Sequence, residues 1–228
     1  MNASHLIPVA LAGVLAAGRP AHADPEAYNP NAFDLSGALD RDVAPTPRSL
    51  EIAIGGGYTQ GIGGAGLAGS VEDLTGPGGN LEVQVGLRTS PRFGIGLYGT
   101  VARYRHGDVY VDGSRTHGAT AGIQAVWHAR PARSLGPWIG LGAGWRALWL
   151  SPAGAPQISV HGIELLRVQL GIDYRLTPAI AVTPVIGASA SVFVVEDAAM
   201  PSEFAAVRDN RLNVYGYTGV LGRFDLGG

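Results

Sequence analysis

The chain has 228 residues, a length at which all-β barrels are ordinary single domains. Charged residues make up 15% of it, against about 25% in typical soluble domains, while 46% are hydrophobic and 35 residues are glycine. A formal net charge of −2 gives no basis for nucleic-acid binding, and the absence of cysteine excludes disulfides, thiolate zinc sites and thiol nucleophiles.

Residues 1–23 read as a secretory signal peptide. Leu6 to Ala17 is an apolar stretch too short to span a bilayer, and Ala21-His22-Ala23 supplies the small-x-small pattern before a cut at Asp24. Residues 24–48 carry Pro25, Pro30, Pro45 and Pro47 without any period and read as a flexible periplasmic lead-in segment. From residue 49 to residue 228 the pattern changes to short runs that alternate apolar with small or polar residues, as a strand with two unlike faces requires. Strands are predicted near 49–60, 80–88, 93–105, 116–128, 137–150, 160–176, 180–194 and 211–226. Three connections are short: Thr89 to Arg92, Ala129 to Gly136, and Thr177 to Ala179. The others are longer: the Gly-rich 61–79, residues 106–115 with an Asp112-Gly113 turn signal, the Pro-rich 151–159, and 195–210. Asp108–Arg115 leaves open whether an extra hairpin makes ten strands instead of eight. Short turns at one end and long loops at the other are the pattern of a transmembrane barrel.

An alternating barrel hides its apolar face if soluble and turns it to lipid if embedded. The non-aliphatic face here is too poor in charge for a water-facing surface. It offers Gly94, Gly96, Tyr98 and Thr100 on the third strand, Gly118, Thr120, Gly122 and Gln124 on the fourth, and Thr183, Gly187, Ser189 and Ser191 on the seventh. Interface aromatics fall near strand ends: Phe93, Trp127, Tyr174 and Phe224 at the short turns, Tyr58 and Trp149 at the long loops. The parity of Trp138 points it inward. Charges keep to one face, as Arg167, Asp173 and Arg175 do on the sixth strand. An Arg facing lipid at mid-membrane costs about 2–4 kcal/mol, which fixes the register. Threading the strands up and down encloses a lumen charge network. Glu51, Arg88, Asp173, Arg175, Arg223 and Asp225 occupy its short-turn half, with Glu82, Arg146 and Arg167 toward the middle or loop half. Buried charges must pair, so interlocking ion pairs are expected to fill the interior.

With this signal, strand count, loop asymmetry and closing strand, residues 49–228 resemble the small outer-membrane β-barrels of Gram-negative bacteria, the OmpA/OmpX type. The last strand, Leu212 to Leu226, carries Tyr215-Gly216-Tyr217 and ends Gly222-Arg223-Phe224-Asp225-Leu226. It is similar to the carboxy-terminal assembly signal of that family, although the chain runs on through Gly227 and Gly228 instead of finishing on an aromatic residue. The resemblance implies an all-β, closed, antiparallel up-and-down barrel of eight strands in the cell outer membrane, with both ends periplasmic. It also implies contact with outer-membrane lipid and lipopolysaccharide, and recognition by the outer-membrane assembly machinery.

Other candidate sites are weak. Gly61-Ile62-Gly63-Gly64-Ala65-Gly66 spells GxGxxG after a strand but lacks the following helix of a βαβ unit, so an external loop explains it better. His106 and His117 flank the second long loop with Asp108 and Asp112 between them, without the close spacing of a metal site. Some small barrels deacylate lipid A with a His and a Ser on one strand face. His161 is the nearest match here, but no Ser stands two residues on, and Ser189 and Ser191 have no predicted base beside them. Neither a cofactor nor a metal is expected. The expected function is non-enzymatic: envelope integrity or surface contact through four external loops, with any surface ligand unidentified. A narrow passive pore and, behind it, a lipid A-modifying enzyme are the alternatives.

Overall fold

The computed structural model describes residues 42–45, 48–64, 70–106, 114–154, 156–198 and 211–227. The signal sequence, most of the lead-in segment, Asp108 and Asp112, and Glu203, Arg208 and Asp209 of the last external loop lie outside these. The described elements are β1 (Leu50–Gly63), α1 (Val71–Leu74), β2 (Thr75–Ser90), β3 (Phe93–His106), β4 (Arg115–His128), β5 (Leu135–Ser151), β6 (Ile158–Thr177), β7 (Ile180–Ala198) and β8 (Leu212–Leu226). Each strand pairs antiparallel with the next, and β8 closes on β1 from Leu50↔Leu226 to Gly63↔Asn213. Closure leaves no strand edge, which a hydrocarbon surrounding demands because it offers the backbone no hydrogen-bond partners.

The two faces divide by parity. Leu97, Ile123 and Ile186 on the outside are 61–67% exposed, whereas Arg88, Asp173 and Glu164 on the inside are at most 1% exposed. No aqueous surface is built this way. The exterior is an apolar band, and the charges are enclosed. Of the aromatics expected at the interfaces, Tyr58, Phe93, Trp127, Tyr174 and Phe224 are exposed on the outer face and Trp149 is half-buried there.

Several strands run longer than their patterns predict, most clearly β2. It begins at Thr75, so Gly76-Pro77-Gly78-Gly79 belong to the wall and not to a loop. A register shift between Thr75 and Gly78 accommodates Pro77, which has no N–H to give the ladder. Pro184 acts similarly in β7. Pairing with β6 skips from Val185 to Val182 and resumes in the same register.

One irregularity decides what enters the lumen. In β6 the register shifts between Glu164 and Leu166 against β7, and the matching shift against β5 falls between Gly142 and Gly144. This is a β-bulge: one extra residue on β6, with Leu165 and Leu166 both exposed on the outer face. Below it odd residues point inward, as Arg167 and Asp173 do. Above it even residues do, so Glu164 faces the lumen.

At the long-loop end the interior is closed by an apolar cluster: Val71, Leu74, Tyr104, Leu148, Leu150, Val160, Phe193 and Tyr215. Two of these come from α1, so the first external loop folds into the barrel mouth. The helix starts at a capping box, in which the Ser70 hydroxyl accepts from the Asp73 N–H at 3.2 Å and the Asp73 carboxylate accepts from the Ser70 N–H at 2.8 Å. That last bond holds the partly exposed Asp73 carboxyl below its ordinary range. Gly61 makes the fit possible, since a Cβ there would lie 2.5 Å from Val71 Cγ1. A polar or small-residue lumen was expected throughout, and the apolar plug is a departure from it. At the opposite end, the Val43 N–H donates to the Ala132 carbonyl at 2.8 Å, which ties the described part of the lead-in to the β4–β5 turn.

Candidate functional site

The lumen holds the only extensive polar constellation among the described residues. Ten buried charged side chains line it, five arginines (Arg88, Arg146, Arg167, Arg175, Arg223) and five carboxylates (Glu51, Glu82, Glu164, Asp173, Asp225). Their formal charges sum to zero. The nine network residues expected from sequence all lie here, but they count five arginines against four acids. Glu164 supplies the missing charge. Simple alternation from Arg167 turns it outward, so the sequence reading missed it; the one-charge deficit among the nine is the signal that could have found it.

The network is layered. Nearest the short turns, Glu51 accepts from Arg88 Nη2 at 2.5 Å and from Arg223 Nη1 at 3.4 Å. Asp225 accepts from Arg175 Nη1 at 2.6 Å. Asp173 sits between them, 3.6 Å from both Arg175 and Arg223, and accepts from Trp138 Nε1 and Thr183 Oγ1, each at 2.9 Å. Trp138 is thus an inward aromatic with a polar partner, and the Arg223 guanidinium lies over its ring at 4.8 Å. His128 approaches Asp173 at 3.7 Å. Arg88 and Arg175 also donate to the carbonyls of Pro91 and Pro178, fastening the first and third short turns to the wall.

In the middle layer Arg167 donates to Glu82 at 2.6 Å, and Gln84, Gln124 and Gln169 bridge the space around that pair. The Tyr98 and Tyr217 rings flank the Arg167 guanidinium at 4.5 and 4.7 Å. Toward the loops, Arg146 donates to Glu164 at 2.8 Å, to Ser189 at 2.7 Å and to Ser191 at 3.0 Å, and it lies 3.9 Å from the Tyr215 ring centroid. Tyr98 donates to the other Glu164 oxygen. The small residues of the lumen make these seats: a Cβ at Gly122 would stand 2.5 Å from the Tyr98 hydroxyl.

Among the described residues, the spaces left between these side chains are small. Cavities beside Glu51 and Arg223, and beside Glu82 and Tyr217, measure about 20 and 10 Å³, the size of one or two waters. The residues weighed for hydrolysis do not meet. Ser189 and Ser191 point inward to Arg146. His161 faces outward, stacked on Trp145 at 5.5 Å and edge-on to Trp149 at 6.4 Å. No group of three metal-ligating side chains occurs among the described residues, and His117 is exposed on the outer wall.

No protein-family model and no curated protein matches the chain. Solved structures do. Neisserial surface protein A is 13% identical, covers 78% of this chain and 97% of its own, and superposes with a TM-score of 0.50. AlkL is 10% identical over 82% of this chain and 95% of its own, at a TM-score of 0.48. Ail of Yersinia pestis is 19% identical over 78% of this chain and 100% of its own, at 0.41. At such identities the likeness is one of fold. The closed circuit of β1 to β8, the apolar exterior and the filled interior, with the fold likeness to Neisserial surface protein A, establish an eight-stranded transmembrane β-barrel of the outer-membrane type.

Proposed function

We propose that the protein is a non-enzymatic outer-membrane barrel whose closed wall serves as a rigid platform for its external loops, acting in envelope integrity or surface contact. The observation that carries this reading is the occupied lumen: ten mutually compensating charges, an apolar plug above them, and residual cavities of about 20 and 10 Å³. A pore needs a continuous aqueous path, and a hydrolase needs a base within reach of its nucleophile. The reading follows from what occupies both places. Recognition then falls to the loops, because connecting segments on rigid scaffolds carry function. In the same proposal residues 1–23 direct export, residues 24–48 lie in the periplasm, and the closing strand β8, with Phe224 outward near its end, is recognised by the assembly machinery. The wall contacts outer-membrane lipid and lipopolysaccharide. Planar-bilayer recording tests the central point. The refolded chain is expected to pass no steady current, and steady unitary openings that Arg167→Ala abolishes would overturn the closed-lumen reading.

A further inference from the structure

On the outer wall, where β3 and β4 rise toward the second external loop, Arg103, Arg105 and Arg115 are all exposed while Tyr104 and Thr116 between them point inward. No ion pair holds any of the three among the described residues. They line, with Tyr104 and Ser114, a recess of about 480 Å³. The ladder fixes their depth. Phe93 pairs with Trp127 at the short-turn girdle, and ten residues farther along both strands Arg103 pairs with His117. At about 3.3 Å per residue and a strand tilt near 40°, ten residues rise about 25 Å, the height of a barrel's apolar band. Val101, one step inward on the same face, is still 56% exposed and apolar. The arginines therefore stand at the headgroup level of the loop-side leaflet. Across from His117 on the next strand is Trp149, so an interface aromatic stands at the same depth as the arginines.

We propose that Arg103, Arg105 and Arg115 form a docking site for a phosphate-bearing lipid headgroup of the outer leaflet, an inference that rests on the membrane orientation given above. Guanidinium groups match phosphate oxygens through paired N–H donors, and three unpaired ones at headgroup depth have no other counter-charge among the described residues. Trp149, at the same depth, suits a headgroup that carries sugars, since an indole offers a flat apolar face with a polar edge.

The test uses the full chain refolded into nanodiscs that contain either a bisphosphorylated glycolipid or its dephosphorylated form, with retained lipid counted by native mass spectrometry. The wild type is expected to retain the phosphorylated form preferentially. The triple variant Arg103→Gln, Arg105→Gln, Arg115→Gln should lower that retention on the order of a hundredfold, about fivefold per guanidinium. Arg92→Gln and Arg130→Gln at the opposite rim should leave it unchanged. If the triple variant fails the heat-shift test for folding, Arg105→Gln alone, read across a salt series, decides between the same outcomes. Equal retention by variant and wild type, or no preference for phosphate, overturns the site. Full displacement by millimolar inorganic phosphate overturns the lipid assignment in favour of a free-anion site. A chain that fails to insert at all sinks the membrane reading, whereas insertion without retention sinks only this inference.

Discussion

Glu164→Ala offers the sharpest test of the interior. The carboxylate is 0% exposed, accepts from Arg146 at 2.8 Å and also takes the Tyr98 hydroxyl. Its removal leaves Arg146 enclosed without a counter-charge, and breaking a buried pair in this way typically costs about 3–5 kcal/mol. Ser189, Ser191 and the Tyr215 ring still hold the guanidinium, which places the expected loss near the lower figure. Net stabilities are about 5–15 kcal/mol, so about 3 kcal/mol is a large share. With a urea slope of about 1–3 kcal/mol per molar, the midpoint for loss of the heat-modifiable band should fall by at least about 1 M. The pair Glu164→Leu with Arg146→Leu removes both charges and should recover much of the loss. The sign matters as much as the size. Without the bulge at Leu165–Leu166, Glu164 would face acyl chains, and its replacement by Ala would be neutral or stabilising. An unchanged or raised midpoint refutes both the pairing and the bulge.

Three further outcomes are expected. Gly61→Val drives a side chain into Val71, so α1 should leave the mouth at a cost of about 1–3 kcal/mol; protease should then cut the first external loop in folded barrels, and resistance equal to wild type would refute the plug. The cap of α1 should respond to pH only in acid: the folded-state value of Asp73 is depressed, so its contribution is present above the ordinary Asp value of about 3.9 and fades as pH falls through the folded value. The protection factors of the Ser70 and Asp73 amides, corrected for the intrinsic pH dependence of exchange, should be flat from neutral pH to about 5, and loosening near pH 6 would count against the carboxylate. Expression of the chain should leave lipid A acylation unchanged by mass spectrometry, with His161→Ala indistinguishable from wild type; loss of an acyl chain in wild type alone would establish an enzyme.

The exterior band, the closed barrel and most of the enclosed charges could be read from one-dimensional pattern, because a strand's two faces repeat every second residue wherever it pairs. Leu81 to Arg88 alternates without interruption, and its inward members Glu82, Gln84 and Arg88 are all buried. The register along most of β6 is likewise set by the cost of turning Arg167, Asp173 and Arg175 to lipid. Tertiary structure alone decided the rest. The bulge at Leu165–Leu166 depends on the two neighbouring strands, and it carries Glu164 inward to complete a neutral set. Which arginine meets which acid depends on the stagger of strands around the closure, a property of the whole circuit and of no single segment. The glycine run that begins at Gly61 reads as an open loop, yet Gly61 to Gly63 belong to β1; the use of Gly61 lies ten residues on, where Val71 occupies the space it leaves. Periodicity assigns a face to a residue; only closure of the sheet assigns it a partner.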